Sequence, residues 1–375
     1  MPAAPRGSAS RGLFSASDYA DVCAFFDARP ALQATPTRRL PALAAHLGLA
    51  DLAVKDETGR FGLNAFKLLG DRFAVETLIA EGAIHPGDTL VCASEGNHGR
   101  AVARAAREAG CESRVYMAGD AASARVEAIA SEGATVVRVD GSYDDAVRVM
   151  SREAAAQGWT IVSDTSWEGY ERIPRLIMLG YTRMIDEILP PALSEGRDQL
   201  SSRVEGFDVV FVQGGVGGLL CGVASACAFR FPDRRPRVIS VEPAQAACLQ
   251  ASARAGHPVA VEGPLETQMA GLRNREVSPL AFGAVQPIVD AYMAIDDAWA
   301  YEAMRRLAKP LGTDPRVAAG ASGAAALGGL LALVGDPALA GAREQLALDQ
   351  TSRVLAIVSE GVTDPALWKK IVESA

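Results

Sequence analysis

The sequence predicts an α/β protein in which helices surround mostly parallel sheets. Short β-branched runs alternate with Ala-rich helical stretches along the chain, which is typical of βαβ units. Each predicted strand is short and apolar throughout, as expected when helices cover both faces of a sheet. The 375 residues are 49% hydrophobic, so the chain can bury a large core in about two domains or one large lobed unit.

The predicted elements follow one another in chain order. The segment "DTLVCASEGNHGRAVARAAREAG" gives a strand, a glycine-rich turn and a helix, and "SRVYMAG" with "SARVEAIASEG" repeats the pattern. "ATVVRVDGSYDDAVRVMSREAAAQGWTIVSD" adds another round, as does "FDVVFVQGGVGGLLCGVASACAF" with "PRVISVEP". The polar stretch "PPALSEGRDQLSSRVEGFD" is either a linker or a surface loop. The run "AAGASGAAALGGLLALV" is too short for a membrane span and predicts a buried helix.

Composition disfavours several kinds of partner. The formal net charge of -8 disfavours nucleic acid and anionic membranes, which both require clustered positive charge. The six cysteines form no CxxC pair, which argues against a disulfide scaffold or a metal site and predicts reduced thiols in the cytoplasm. The N-terminal "MPAAPRGSASRGLFSASDY" lacks the apolar core of a secretory signal and predicts a loose arm.

One lysine stands among apolar residues. The stretch "RFGLNAFKLLG" places Lys67 between apolar neighbours. An amine in such surroundings loses its proton more easily and can then attack a carbonyl to give a Schiff base. The alternative is a lysine whose stem lies on an apolar helix start while its head reaches water.

Two glycine-rich turns are candidate ligand sites. "VFVQGGVGGLL" follows a predicted strand and opens a helix, so its backbone N–H groups can bind a phosphate at the positive end of the helix dipole. A dinucleotide site uses the same physics, and Glu242 in "ISVEP" has the position of a ribose-binding carboxylate, although GGVGG is not GxGxxG. A plain tight turn is the other alternative. "SEGNHG" offers Asn97 and His98 at a strand end, where such a turn is also a common helix cap.

The order of these motifs resembles that of a known enzyme group. A lysine, an asparagine-bearing turn, a glycine-rich loop and "VSEG" near the end resemble the pyridoxal phosphate enzymes of fold type II, the threonine dehydratase and tryptophan synthase β group. "VKDETGRFGLNAFKLLG", "SEGNHGRAVA", "DTSWEGYERIP" and "VISVEPAQAACL" are similar to the diaminopropionate ammonia-lyase branch, where "KDES.RFGLNAFK.LGG", "DGNHGR" and "DT.WEGY..IP" recur. The resemblance runs from about Pro36 to the C-terminus.

The resemblance implies a fold and an activity. Two open, twisted, mostly parallel sheets flanked by helices would hold pyridoxal 5'-phosphate in an interdomain cleft. A smaller domain of residues 67–171 would be inserted into a large cofactor-binding domain made of residues 1–66 and 172–375. The protein would be a homodimer that acts on a small amino acid by α,β-elimination, most directly converting 2,3-diaminopropionate to pyruvate and ammonia.

The resemblance also implies roles for single residues. Lys67 would hold the cofactor as an imine and, once released by substrate, act as a base at Cα. Phe66 would pack near the cofactor face, Asn97 would bond the ring hydroxyl, and Ser359 of "VSEG" would contact the pyridine nitrogen. A neutral serine there leaves the nitrogen unprotonated, which favours elimination over transamination. The phosphate would lie against the loop residues Gly214, Gly215, Val216, Gly217 and Gly218.

Two carboxylates match family positions that transfer protons and bind the distal amine of the substrate. They are Asp164 in "SDTSWEGY" and Glu95 in "SEGNHG", and both are predicted to be catalytic and to bind substrate together with Ser94 and His98. The alternative is that Asp164 caps a turn and that Glu95 is solvated.

Four positions depart from the family pattern. Glu95 replaces an aspartate, which changes a proton-transfer distance, and Ala321 stands where "ESGA" has its glutamate. "MAGLRNREVSP" places Arg273 and Asn274 where "MAGLACG" has small residues. Arg273 is therefore a candidate ligand for a second anionic group on the substrate, or it points to solvent.

Four alternative activities stay open at this point. The first is a serine or threonine dehydratase-like elimination, including one on an anionic amino acid that Arg273 recognises. The second is β-replacement, as in cysteine synthase relatives. The third is a non-catalytic relative that only binds a ligand. The fourth is a dinucleotide-dependent oxidoreductase built on the GGVGG turn.

Overall fold

The chain folds into two α/β units. The computed structural model describes residues 12–94, 96–188 and 206–373. One compact unit consists of Met1–Asn64 and Thr182–Ala375, and the other of Ala65–Tyr181. Each unit contains a mostly parallel sheet with helices between its strands, which confirms the predicted fold class.

The elements are numbered in chain order. The strands are β1 (Thr37–Arg39), β2 (Asp51–Asp56), β3 (Thr89–Ala93), β4 (Glu112–Ala118), β5 (Thr135–Val139), β6 (Thr160–Ile161), β7 (Val209–Gln213), β8 (Arg237–Pro243), β9 (Ala291–Ile295) and β10 (Arg353–Val358). The helices are α1 (Ala16–Asp27), α2 (Pro41–Leu47), α3 (Leu68–Ala80), α4 (Asn97–Glu108), α5 (Ser123–Ala130), α6 (Tyr143–Gln157), α7 (Arg172–Tyr181), α8 (Arg183–Asp186), α9 (Gly218–Arg230), α10 (Cys248–Ala255), α11 (Pro279–Val285), α12 (Asp297–Ala308), α13 (Ala321–Gly335), α14 (Ala340–Gln345) and α15 (Pro365–Glu373).

The larger unit has a six-stranded sheet in the order β1-β2-β10-β7-β8-β9. Only the β1–β2 pair is antiparallel among the pairs of this sheet. Because parallel strands end at the same edge, the segments that follow β7, β8 and β10 leave the sheet together. That edge is where an open α/β sheet binds ligands.

The apolar run near the C-terminus forms α13, and its burial confirms the predicted core helix. Every residue from Ala321 to Leu333 is buried. Close packing needs its glycines, since a Cβ on Gly329 would lie 2.6 Å from a Val241 methyl carbon. No single described helix is long and apolar enough to span a membrane, whereas Ala321–Gly335 and Pro337–Gln345, bent by 86°, pass the same test of length and composition together.

The smaller unit has a four-stranded, fully parallel sheet in the order β5-β4-β3-β6. Its core packs Val91 and Tyr116 of the sheet against Met150 of α6. β3 leads through Ser94 into α4, and its parallel neighbour β6 leads towards Asp164. Both polar segments therefore leave the sheet at one edge, which brings together residues that are about 70 positions apart in sequence.

Helix α7 belongs to the smaller unit, although the sequence analysis placed the boundary before it, at residue 171. α7 packs closely against α3 because both helices present glycine at the crossing. A Cβ on Gly70 would lie 2.6 Å from the Tyr181 ring, and a Cβ on Gly180 would lie 2.6 Å from the Leu69 carbonyl oxygen. The units therefore divide after Asn64 and after Tyr181.

The strands and helices predicted from "DTLVCA" to "PRVISVEP" are confirmed as β3 to β8 with the helices between them. The sequence analysis did not identify the short antiparallel strand β1, nor β2, β9 and β10. The polar stretch at residues 189–205 and the N-terminal arm at residues 1–11 lie outside the described residues.

We predict that Gly180→Ala lowers the free energy of unfolding by about 1–3 kcal/mol, since the added methyl overpacks the α3–α7 crossing. Urea denaturation measures the change. Gly283→Ala is the matched control, because Gly283 lies in α11 and no atom of the described residues lies within 4 Å of its added Cβ. Alanine there should leave stability unchanged or raise it by up to about 1 kcal/mol. Equal effects of the two substitutions would contradict the packing argument.

Candidate active site

Lys67 forms an ion pair with Asp164 in the smaller unit. Lys67 directly precedes α3, and its Nζ donates a hydrogen bond of 2.5 Å to Oδ2 of Asp164. The two side chains are 22% and 18% exposed, so the pair is partly shielded yet reachable from solvent. Burial opposes ionisation of Asp164, but the charges of Lys67 and His98 outweigh it and hold the pKa of that carboxyl well below its usual range.

Phe66 lies beneath this amine. Its ring centroid is 5.1 Å from Lys67 Nζ, and its edge meets the Tyr181 ring at 4.8 Å between centroids. Phe66 is 8% exposed and therefore belongs mainly to the core. It can support one face of a group bound at Lys67, as the sequence analysis predicts.

The loop that carries Asp164 is fixed by Tyr170. The Tyr170 hydroxyl donates to the Ile161 carbonyl at 2.8 Å and accepts from the Ser163 backbone N–H at 2.9 Å. Trp167 stacks on the Tyr170 ring at 4.0 Å between centroids and 11° between planes. One hydroxyl thus satisfies backbone groups on both sides of Val162, which holds the segment leading to Asp164.

His98 lies behind the ion pair and is buried. Its Nδ1 is 3.2 Å from both carboxylate oxygens of Asp71, and its Nε2 is 2.9 Å from the Val162 carbonyl oxygen. Burial disfavours a charged imidazole, yet the carboxylates of Asp71 and Asp164 outweigh it and raise the pKa of His98 to about 9. Burial raises the pKa of Asp71, and the charge of His98 opposes this change.

The "SEGNHG" turn leads from β3 into α4. Ser94 is buried, and its hydroxyl accepts from the Gly96 and Gly99 N–H groups at 3.3 and 3.0 Å. Asn97 is the first residue of α4. Glu95 lies outside the described residues, so its predicted catalytic role stays a prediction.

The glycine loop of the larger unit has the features of an anion site. Gly214 follows β7, and Gly217 caps the N-terminus of α9. Gly215 and Gly217 have φ angles of +62° and +100°, which favour glycine. A Cβ on Gly214 would lie 2.5 Å from Glu242 Cγ, so the loop is also crowded from behind. Val216 sits between these glycines and is the least buried residue of the loop.

Two partners hold the loop through its carbonyl oxygens. Ser278 N–H donates to the Val216 carbonyl at 2.9 Å, and the Cys248 thiol donates to the Gly215 carbonyl at 3.4 Å. The N–H groups of Gly215, Val216 and Gly218 have no partner among the described residues. These donors are therefore available to an anion, and the N-terminus of α9 begins at the same loop with Gly218.

Ser359 and Gly214 leave the sheet at the same edge. Ser359 follows β10 directly, and β10 is the parallel neighbour of β7. Gln213, the last residue of β7, fixes this arrangement. Its Nε2 donates to the carbonyls of Ile357 in β10 and Gly323 in α13, both at 2.8 Å.

The structure shows where three of the four positions that depart from the family pattern lie. Arg273 is exposed and donates to the Thr267 carbonyl at 2.8 Å, so its role in substrate binding stays a prediction. Asn274 lies over the glycine loop, where its Nδ2 would be 3.0 Å from a Cβ on Gly215. Ala321 opens α13 and is buried.

Glu242 is not available to a ribose. Its carboxylate accepts hydrogen bonds from the Leu249 and Gln250 N–H groups at 2.9 and 2.8 Å, at the start of α10. Burial raises the pKa of Glu242 to about 7, against the effect of these two donors. This carboxylate therefore stabilises a helix start, and the dinucleotide interpretation loses the acidic residue on which it depended.

Sequence reasoning missed three residues of the site. Asp71 and Gln213 were not singled out, and Tyr170 was quoted within "WEGY" without a role. The sequence does contain a signal for Asp71, because a carboxylate is unusual within an apolar helix start such as "LLGDRFAV", one turn after Lys67. Gln213 left a weaker one, as the single polar residue that ends an apolar strand.

Comparison with known proteins agrees with this geometry. The family of pyridoxal-phosphate dependent enzymes matches residues 28–360. Diaminopropionate ammonia-lyase of Escherichia coli strain K12 is 36% identical over 96% of this chain and 92% of its own length. Two structures of the Escherichia coli enzyme, with an aminoacrylate-PLP azomethine reaction intermediate and with D-serine, have TM-scores of 0.87 and 0.86 at 34% and 33% identity. Each covers 98% of this chain and 94% of its own.

The N–H groups of the glycine loop suit a phosphate, and the Lys67 amine, paired with a carboxylate, suits an aldehyde. Pyridoxal phosphate has both of these groups. The chain belongs to the family of pyridoxal-phosphate dependent enzymes, and pyridoxal phosphate is its cofactor. Within that family the chain is similar to the diaminopropionate ammonia-lyases, which confirms the resemblance seen in "RFGLNAFK" and "DTSWEGYERIP".

We predict that Tyr170→Phe destabilises the protein by about 1–3 kcal/mol, because two backbone groups around Val162 lose their partner. Urea denaturation measures this change. Tyr143→Phe is the control, since the Tyr143 hydroxyl bonds the Ala93 carbonyl at an exposed position, and its loss should cost no more than about 0.5 kcal/mol. A Tyr170 variant as stable as the control would show that the hydroxyl does not hold the loop.

Proposed function

We propose that the protein is a pyridoxal phosphate-dependent ammonia-lyase that converts 2,3-diaminopropionate to pyruvate and ammonia. The observation that carries this proposal is the 2.5 Å pair between Lys67 and Asp164, in a chain 36% identical to a diaminopropionate ammonia-lyase over nearly its whole length. When bound, pyridoxal phosphate supplies a carbonyl carbon that reacts with amines and a conjugated ring that takes up an electron pair.

Lys67 and Asp164 divide the proton transfers. The free Lys67 amine would take the proton from Cα of the substrate as a general base. Asp164, as a carboxylate, binds the distal amino group of the substrate and keeps it protonated, so the nitrogen takes the electron pair of the breaking C–N bond and departs as neutral ammonia rather than as an anion. The remaining unsaturated amino acid reacts with water to give pyruvate and a second ammonia. Each pyruvate is therefore accompanied by two ammonia molecules.

Other residues would bind and orient the cofactor and the substrate. We assign the phosphate to the N–H groups of the glycine loop, where the N-terminus of α9 adds its positive dipole end. Asn97 would bond the ring hydroxyl, Phe66 would support the ring face, and Ser359 would meet the pyridine nitrogen with a neutral hydroxyl. Ser94, Glu95 and His98 would complete the substrate site around Asp164, with His98 acting through its own partners.

A second candidate is elimination of water from a β-hydroxy amino acid. The complex of the Escherichia coli enzyme with D-serine supports it, since serine carries a hydroxyl at the position of the leaving amine. A panel of 2,3-diaminopropionate, serine and threonine in both configurations, scored by 2-oxo acid release, separates the two candidates. β-Replacement would need an added nucleophile and would release no free keto acid. The exposed side chain of Arg273 gives no support to an anionic substrate.

The partners follow from the same proposal. The substrate is a small amino acid, and a homodimer is the family expectation. All six cysteines are free thiols, which is consistent with a reducing cytoplasm.

We expect Lys67→Ala to abolish pyruvate release and to prevent fixation of the cofactor by borohydride. Wild-type protein should take up pyridoxal phosphate with an imine absorption band, and borohydride followed by peptide mapping should find the adduct at Lys67. Lys309→Ala is the control and should retain both properties, because Lys309 is an exposed residue that directly follows α12. If wild-type protein released pyruvate from neither enantiomer of 2,3-diaminopropionate, the proposed substrate would be wrong. If no adduct formed at Lys67, the proposed activity would be wrong as well.

We expect Gly215→Ala to weaken cofactor binding by about tenfold, a loss of about 1.4 kcal/mol. The added methyl meets Asn274 and disfavours the positive φ of the loop. Equilibrium dialysis with pyridoxal phosphate measures the affinity without relying on turnover. Gly283→Ala should bind the cofactor as the wild type does, and an unchanged affinity for Gly215→Ala would place the phosphate elsewhere.

A further inference from the structure

Asp71 completes a closed set of contacts within the smaller unit. It lies on α3, one turn after Lys67, and contacts Nδ1 of His98 at the start of α4. His98 Nε2 contacts the carbonyl of Val162, which lies two residues before Asp164. Asp164 in turn contacts Lys67. The segments that carry the lysine and the carboxylate are therefore joined a second time, behind their ion pair.

Hydrogen-bond chemistry fixes where one proton must be. A carbonyl oxygen only accepts, so His98 Nε2 carries a hydrogen and donates it to Val162. The contact between Nδ1 and Asp71 then needs one further proton, held either by the imidazole or by the carboxyl. Among the described residues the Asp71 carboxylate has no other hydrogen-bond partner, and it is 0% exposed. A buried carboxylate in this position is costly unless it shares that proton with His98.

We propose that Asp71 is a positioning residue that acts through His98, keeping the imidazole protonated and the Asp164 segment in place beside Lys67. The proposal rests on the proposed role of Asp164 in proton transfer. Asp71 itself is 0% exposed and lies behind His98, so it offers a substrate no accessible surface. Its effect reaches Asp164 by two routes, through the Val162 hydrogen bond and through the positive charge of His98.

The groups that face His98 come from several elements. Asp71 and Lys67 face it from α3, and Asp164 faces it from the segment after β6. The same carboxylates interact electrostatically with three further groups. These are Cys92 in β3, Tyr170 in the loop before α7, and Tyr181 at the end of α7. Burial raises the pKa of Cys92, Tyr170 and Tyr181, so these three groups stay neutral near pH 7, and the charge balance around His98 is set by the two carboxylates and the lysine.

The test compares Asp71→Asn, His98→Gln and the double variant as holoenzymes. Nitrogen-15 NMR of labelled histidine reports the charge of His98, which is one of four histidines in the chain. Wild-type His98 should stay protonated through neutral pH and lose its proton near pH 9. In Asp71→Asn the amide has the shape of the carboxylate but not its charge. The pKa of His98 should therefore be lower than in the wild type by about one unit or more.

The second readout is the pH at which the absorption band of the bound cofactor changes. His98→Gln removes a cation from the surroundings of Lys67, so this transition should move to higher pH, and in Asp71→Asn it should move in the same direction at pH values where His98 has lost its proton. Because Asp71 acts through His98, the double variant should behave as His98→Gln alone. Additive shifts, or an unchanged His98 titration in Asp71→Asn, would overturn the proposal. Both readouts are independent of turnover, so they decide the role of Asp71 even if 2,3-diaminopropionate proves not to be the substrate.

Glu132→Gln is the matched control. Glu132 is a buried carboxylate that also contacts α4, but through Arg100, Arg104 and Arg107. Its substitution should lower thermal stability while leaving the His98 titration and the cofactor transition unchanged. If the His98 titration or the cofactor transition shifted in this control, loss of any buried charge near α4 would be enough to produce the shift. The proposal of a specific role for Asp71 would then be wrong.

Discussion

In the proposed mechanism, the chemistry of the smaller unit depends on the ion pair between Lys67 and Asp164. It joins the start of α3 to the segment after β6, which are 97 positions apart in sequence. Neither side chain is fully buried, so desolvation is moderate and the amine stays reachable. The surrounding groups serve this pair: Tyr170 and His98 hold the backbone that carries Asp164, and Phe66 lies beneath the amine.

The glycine loop of the larger unit is subject to a different constraint, because its backbone has to approach a phosphate closely. Parallel pairing of β7 with β10 and β8 places three strand ends at one edge. Side chains already fill the space behind the loop after β7, with Glu242 behind Gly214 and Ala281 behind Gly217. Glycine is therefore required twice, for its conformation and for its size. The outcome is a row of N–H groups at a helix start, which is suited to phosphate.

Sequence patterns predicted the fold class because parallel βαβ units leave a local signature, an apolar strand followed by a glycine turn and an Ala-rich helix. The apolar neighbours of Lys67 and the glycine-rich turn after a predicted strand marked these two as candidates, whereas Asp164 was proposed only from the family resemblance. The three-residue strand β1 was missed because it is too short to show alternation. Asp71 and Gln213 were missed for another reason, namely that their importance comes from partners distant in sequence, His98 for one and the carbonyls of β10 and α13 for the other.

The stack of Trp167 on Tyr170 gives the molecule an optical reporter in the loop that carries Asp164. Trp167 is 42% exposed, and it is one of four tryptophans in the chain. Its indole emission responds to the water around it and to the ring it covers, and both change when the neighbouring segment shifts. A movement of the loop that carries Asp164 would therefore change the fluorescence of the unmodified protein, because Trp167 belongs to that same short loop.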